Sequence, residues 1–169
     1  QLMLRDAVRQ FIDKEIRPHV DELEHGDLPP YDILRKLFST FGMDAMARDR
    51  FKRQIEFEKQ VAEAVERGEA PPEKPKRDGG SDQSLTMLPI IELCRFCPGM
   101  VTAMGVSMGL TSASINSKGT IAQKERWVPD LLTMDKVGAW AITEPNSGSD
   151  AFGSMKSTAR RDGDEYVLN

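Results

Sequence analysis

Hydrophobic residues recur at helical spacing through most of the first 134 positions and switch to alternation only near the end. In residues 1–17, Leu4, Val8, Phe11, Ile12 and Ile16 share one face with charges between them, which predicts an amphipathic helix. Pro18 lacks the amide hydrogen that another turn needs, so the helix is expected to stop there and a polar link to follow. Ile33, Leu34, Leu37, Phe38 and Phe41 mark a second helix over Tyr31–Phe41, with Gly42 placed to cap it. More than half of residues 48–78 are charged, and Phe51, Ile55, Ala62 and Val65 leave only a thin apolar stripe. That pattern predicts that at least part of the stretch is a solvated surface helix. Glu69–Asp82, rich in proline, glycine and mixed charge, reads as a linker.

Leu85–Cys97 and Met100–Asn116 are apolar enough for buried helices, broken at Pro98-Gly99, and Thr120–Met134 is amphipathic with a bend at Pro129. From Val137 the period changes. VGAWAITE is β-like, EPNSGSD is dense in turn formers, Met155–Arg161 alternates, and Asp162-Gly163 marks a hairpin turn before a second alternating stretch. The fold class expected is a mainly α N-terminal helical domain over 1–134, with a charged, Pro-rich insertion at about 44–84. Residues 135–169 are the first strands of a β-domain, since two or three strands cannot bury a core alone.

Composition narrows the function. The 169 residues are 39% hydrophobic, enough for a buried core, and the net charge of −4 argues against a nucleic-acid surface. Two cysteines cannot build a disulfide framework, so a reducing compartment, cytoplasmic or mitochondrial matrix, is expected. Phe96–Ser117 is uncharged and nominally long enough to cross a bilayer. Its serines, threonines, glycines and Pro98 favour a buried helix of a soluble protein, so no membrane partner is expected.

Candidate chemistry is sparse. Cys94 and Cys97 form a lone CxxC with no second ligand pair for zinc, and small buried helix residues are the better reading. His19 and His25 lie in the polar link among acidic residues at a spacing that matches no metal motif. Met100, Met104 and Met108 line one face, with Gly105 and Gly109 suited to close helix approach, either as core or as the wall of an adaptable cavity. The segment from Trp140 to Asp150 differs. Pro145, Asn146 and Gly148 enforce a compact turn flanked by the hydroxyls of Thr143, Ser147 and Ser149, which is either an ordinary turn or an anion-binding concavity of backbone amides.

AITEPNSGSD (141–150), followed by KSTARRDGDEYVLN (156–169), resembles the middle-domain signature of the acyl-CoA dehydrogenase family of flavoproteins. RQFIDKEIRPHVDELE resembles the family's opening helix, PYDILRKLFSTFGM its second, IELCR the start of a later helix, and GTIAQKERWVPDLL the helix before the first β-strand. The resemblance covers about residues 1–43 and 85–169.

It implies an α+β multidomain subunit: an N-terminal helical domain, a β-barrel-like middle domain and a C-terminal four-helix bundle, assembled as a homotetramer with FAD in each subunit. The implied reaction is α,β-dehydrogenation of an acyl-CoA thioester to the trans-2-enoyl-CoA, with electrons leaving through electron-transferring flavoprotein. By motif position, Trp140, Ile142, Thr143, Gly148 and Ser149 would line FAD. Thr143 would meet the flavin's pyrimidine edge, Gly148 and Ser149 its ribityl-pyrophosphate, and Ser149 would also touch the acyl-CoA substrate. Helices 85–97 and 100–116 would border the acyl cavity. The family's catalytic glutamate falls beyond Asn169, so no catalytic residue is expected in this chain, and Glu144 is expected to be structural. The family usually has a short glycine-rich loop where this chain has residues 44–84. Two rivals share the fold: an acyl-CoA oxidase, and a non-catalytic helical interaction module whose turn motif would be damaged. Here that motif is intact.

Overall fold

A computed structural model describes residues 2–74 and 83–169. Pro18 does not end the first helix. Leu2–Phe11 (α1) runs through a π-helical stretch, Ile12–Ile16, and a tight 3₁₀ turn, Arg17–His19, into Val20–His25 (α2). Pro18 sits in the first turn of the 3₁₀ segment, where a missing amide hydrogen sacrifices little. The polar link expected from residue 19 is therefore helical as far as His25.

Tyr31–Thr40 (α3) ends at Gly42, whose φ of 64° is the left-handed conformation a capping glycine adopts without strain. Met43–Glu66 (α4) then runs for 24 residues. It stops because Gly68, at φ 69°, turns the chain back: Glu69 N–H bonds Ala64 C=O at 2.8 Å and Gly68 N–H bonds Val65 C=O at 3.0 Å. Of the expected linker, residues 69–74 carry no regular structure, and 75–82 lie outside the described residues.

Gln83–Cys94 (α5) is followed by Pro98–Gly105 (α6), in which Pro98 opens the helix rather than merely breaking its predecessor. A π-helical stretch, Val106–Thr111, joins α6 to Ser112–Lys118 (α7). Ile121–Leu132 (α8) begins at a reciprocal cap. Thr120 N–H bonds the Gln123 side chain at 2.9 Å, and Gln123 N–H bonds the Thr120 hydroxyl at 3.3 Å.

The main core gathers Ile12 and Ile16, Leu34 and Phe38 of α3, Leu93 of α5 and Met100 of α6. Arg9 holds α1 to α5 through two 2.9 Å bonds to the carboxylate of Glu92, whose side chain is only 6% exposed. A second, smaller core lies between α4 and α8, where Phe51 and Ile55 pack on Val128. Ion pairs frame it, Lys124–Glu58 and Lys59–Glu125 both at 2.7 Å, with Arg48–Asp135 at 2.5 Å. So α4 is not wholly a solvated helix. Its stripe begins at Phe51 and Ile55 as expected but ends on buried Ala64, while Ala62 and Val65 face outward.

After α8, Met134 is fully buried at φ 62°, a position usually given to glycine, and Arg35 Nη1 donates to its carbonyl at 2.7 Å. The chain then runs beside the π-helical stretch. Gly138 N–H bonds Ser107 Oγ at 3.0 Å and Thr111 Oγ1 bonds Ala139 C=O at 3.3 Å. A Cβ on Gly138 would come within 2.7 Å of Thr111, so only glycine fits there.

Compactness divides the chain into residues up to Ala139 and a smaller unit, Trp140–Asn169. The smaller unit holds the short helix Ala151–Ser154 (α9) and the antiparallel hairpin Ala159–Asp162 (β1) and Glu165–Leu168 (β2), paired from Ala159↔Leu168 to Asp162↔Glu165. Gly163, at φ 62°, opens the two-residue loop. The β-like stretch 137–144 forms no strand among the described residues. A ladder needs a partner, and the only pairing there is a single bridge between Glu144 and Ser147. Every residue of β1 and β2 is exposed, as in a hairpin with neither face covered.

Candidate functional site

The turn expected to carry the chemistry is held by its own groups. Glu144 and Ser147 exchange both backbone bonds, at 2.8 and 3.1 Å, so Pro145 and Asn146 form the tip. The Glu144 carboxylate accepts from the amides of Lys156 at 2.8 Å and Ser157 at 2.9 Å, and those two donors hold its carboxyl below the usual carboxylate range. Glu144 is thus the strut that ties the turn to the approach of β1, in line with its expected structural part. A carboxylate stabilised in this way is a poor proton acceptor.

Asp150 takes the Ser154 hydroxyl at 2.5 Å and the Gly148 amide at 3.2 Å, and it too is held low by those bonds, Ser154 first. These contacts change the picture of an amide concavity. The amides of Glu144 and Ser147 bond carbonyls, and that of Gly148 faces a carboxylate. Three of its amides are therefore spent, and the exposed hydroxyls of Thr143 and Ser149 stand beside those that are not.

Of the residues singled out from the sequence, Thr143, Gly148 and Ser149 are exposed, Trp140 is 43% exposed and Ile142 is half-buried. Trp140 C=O accepts from Ile142 N–H at 3.0 Å, so these positions lie along one short, bent run of chain. A Cβ on Gly148 would meet nothing within 4 Å. Ser147, by contrast, is 3% exposed, and its hydroxyl has no hydrogen-bond partner. Sequence spacing flagged that serine only as one of three flanking hydroxyls.

The other candidates dissolve into structure. Met100 and Met104 are buried and Met108 packs against the same core. Gly105 and Gly109 serve no close helix approach, since a Cβ on either would meet nothing within 4 Å. Of the two cysteines expected to be buried in a helix, Cys94 is exposed at the end of α5 and Cys97 is buried between α5 and α6, where burial followed by the nearby Glu24 pushes its thiol up to about 11, far from a reactive thiolate. Among the described residues, no three His, Cys, Asp or Glu side chains converge on a point that could hold a metal. None of the described helices is long and apolar enough to cross a membrane.

The family model for the N-terminal domain of acyl-CoA dehydrogenases matches residues 1–49 and 40–135, a span that takes in α1 to α8. The chain belongs to the acyl-CoA dehydrogenase family. It is 27% identical over 169 residues to a short-chain specific acyl-CoA dehydrogenase of Clostridium acetobutylicum, covering 100% of this chain and 38% of that protein. It is 30% identical over 169 residues to the mitochondrial short-chain specific acyl-CoA dehydrogenase of Homo sapiens, covering 99% of this chain and 34% of that one. The solved structure of butyryl-CoA dehydrogenase from Megasphaera elsdenii shares the fold with a TM-score of 0.63 at 24% identity, over 99% of this chain and 38% of that chain. The chain therefore spans little more than a third of the length of these relatives.

Proposed function

We propose that the protein carrying this chain is an FAD-dependent acyl-CoA dehydrogenase. It would convert an acyl-CoA thioester to the trans-2-enoyl-CoA and pass the electrons to electron-transferring flavoprotein. The observation that carries this reading is the intact turn of residues 143–150, with free hydroxyls on its exposed side, following a helical unit of the family.

The residues present suit a flavin nucleotide, whose ring carbonyls and phosphates are hydrogen-bond acceptors. Thr143 and Ser149 expose hydroxyls, Gly148 leaves room for close approach, and Ser147 buries a hydroxyl that nothing in the protein satisfies. When bound, the flavin supplies the acceptor for the hydride leaving the β-carbon. Thr143 would orient the ring by its polar edge, Trp140 and Ile142 would pack against it, and Ser149 would sit between cofactor and thioester. Asp150 and Glu144 would fix the turn in the shape these contacts need. Proton abstraction would fall to a base other than Glu144, whose carboxylate is committed to two amides. On this reading residues 1–134 act as the N-terminal domain and 135–169 open the middle domain of a homotetramer in the cytoplasm or mitochondrial matrix.

The test is a visible absorption spectrum of the purified whole protein, followed by turnover with acyl-CoA substrates and electron-transferring flavoprotein. Flavin bands and enoyl-CoA formation are expected. A colourless protein that FAD does not reconstitute would leave a helical module without catalysis. Turnover with oxygen but not with the flavoprotein acceptor would make it an oxidase.

A further inference from the structure

The chain leaves α8 through residues 133–139, and it is tied down along most of that length. Met134, fully buried at φ 62°, holds a conformation that strains any residue with a side chain and persists only where its surroundings fix it. Thr133, 3% exposed, donates its hydroxyl to Asp135 Oδ2 at 2.7 Å, and Lys136 N–H bonds Asp130 C=O at 3.0 Å. Further on, Gly138 N–H bonds Ser107 Oγ and Thr111 Oγ1 bonds Ala139 C=O, so the segment lies along the π-helical stretch Val106–Thr111. π-Helical turns and left-handed non-glycine residues are both uncommon, and both tend to occur at functional sites. Side chains reach this segment from two other helices. Arg35 of α3 takes the Met134 carbonyl. Arg48 of α4 sets one nitrogen, Nη2, among Asp135 Oδ2 at 2.5 Å, Thr133 Oγ1 at 3.2 Å and Asp130 Oδ1 at 3.5 Å. Its guanidinium is half-exposed, so these bonds add little stability. What they supply is position: a single nitrogen joins the last turn of α8 to the chain beyond it.

We propose that Arg48 is a positioning residue. By gathering Asp130, Thr133 and Asp135 it fixes where residues 133–139 lie against the π-helical stretch, and so sets the wall which that stretch gives the acyl chain of the substrate. The assignment rests on the flavoprotein reading above, in which the helix of residues 100–116 borders the acyl chain. It adds a residue from the charged stretch 44–84, outside both that helix and the turn motif. Arg48 itself does not touch substrate. An acyl chain against a displaced wall loses the same contacts in the ground state and the transition state, so KM should rise while kcat holds.

The experiment uses the whole protein with its FAD, as wild type, Arg48→Met, Arg48→Lys and Lys59→Met. Lys59→Met is the control, because it deletes another α4 cation that pairs with α8, through Glu125, away from residues 133–139. Hydrogen exchange reads the Gly138 amide, and steady-state kinetics run on a series of straight-chain acyl-CoAs with a dye acceptor. For Arg48→Met the thermal midpoint should fall by no more than about 5 °C, the range for a half-exposed ion pair. Exchange at Gly138 should quicken about threefold to tenfold. KM should rise about threefold to tenfold, the loss of one or two methylene contacts, with kcat within about twofold of wild type. Arg48→Lys, whose shorter ammonium still offers three donors to the same oxygens, should fall between. Lys59→Met should leave Gly138 exchange and KM at their wild-type values. Unchanged exchange, an unchanged KM, or a KM rise that Lys59→Met reproduces overturns the assignment. If the wild type turns over acyl-CoA and Arg48→Met matches it, only this assignment falls. If the wild type holds no FAD, the flavoprotein reading falls and takes this one with it.

Discussion

Thr143 and Glu144 are neighbours with opposite fates. Thr143 leaves its hydroxyl at the exposed side of the turn, while Glu144 gives both carboxylate oxygens to the amides of Lys156 and Ser157. Thr143→Val keeps the branched shape and removes only the hydroxyl. It should weaken FAD binding by about 0.5–1.5 kcal/mol, or roughly threefold to tenfold, as one neutral hydrogen bond would. Flavin fluorescence titration measures it, and an unchanged dissociation constant would make Thr143 a shape-filling residue only. Glu144→Gln should leave the tip of the turn in place but loosen its tether, because a neutral amide oxygen is a weaker acceptor than a carboxylate. Hydrogen exchange at the amides of Lys156 and Ser157 should then quicken relative to wild type. Equal exchange rates would mean that the strut contributes nothing to holding the approach to β1.

At the level of elements, α4 separates what the sequence makes legible from what it hides. A stripe at Phe51 and Ile55 is visible in the spacing. That it packs on Val128 of α8 is not, because the charges that suggest a solvated helix turn out to be cross-helix partners such as Glu58–Lys124 and Lys59–Glu125. Phe51→Ala should therefore lower stability by about 3–5 kcal/mol, the range for emptying a buried phenylalanine site. Val65→Ala, on the exposed side, should stay within about 0.5 kcal/mol of wild type. Similar thermal midpoints for the two variants would mean that the packing of Phe51 on α8 adds nothing to stability. Helix spacing, the Gly42 cap and the Gly163 hairpin are all local, and all are readable from residue order. Pro18 misleads because the π-helical and 3₁₀ stretches that absorb it depend on the core around Ile12 and Ile16. The β-like run at 137–144 misleads for the opposite reason: alternation supplies a strand's faces but not the partner that makes it a strand. At the turn, residue types located the hydroxyls, and only the three-dimensional bonding reveals that the amides of Glu144, Ser147 and Gly148 are spent while the Ser147 hydroxyl is left over.

Across the whole molecule, ion pairs join elements far apart in sequence, and they set how stability responds to acid. The Glu92 carboxyl is held below its ordinary range chiefly by Arg9, Glu15 by Lys36, and Asp130 by Lys136. Glu58 is likewise low, although its burial opposes this, because Lys124 and Gln54 bond it. Unfolded glutamates and aspartates titrate near about 4. Below that point the unfolded chain binds more protons than the folded one, so stability falls as pH drops. The contribution of these pairs is complete above the unfolded values and disappears as pH passes down through the lower folded ones. Arg9 and Lys59 are shifted upward by Glu92 and Glu125, so those two pairs persist into the alkaline range. A flat thermal midpoint from about pH 5 to 9 is expected, with a steep decline below about pH 4. About 1 M salt should lower the plateau and flatten the decline, because exposed pairs such as Lys59–Glu125 are screened. The Arg9–Glu92 pair, with its carboxylate almost fully buried, should resist that screening. Glu92→Gln would then lower the neutral midpoint and remove part of the acid limb even at high salt. A midpoint that stayed level down to pH 3 in dilute buffer would show that these bridges position the helices without stabilising them.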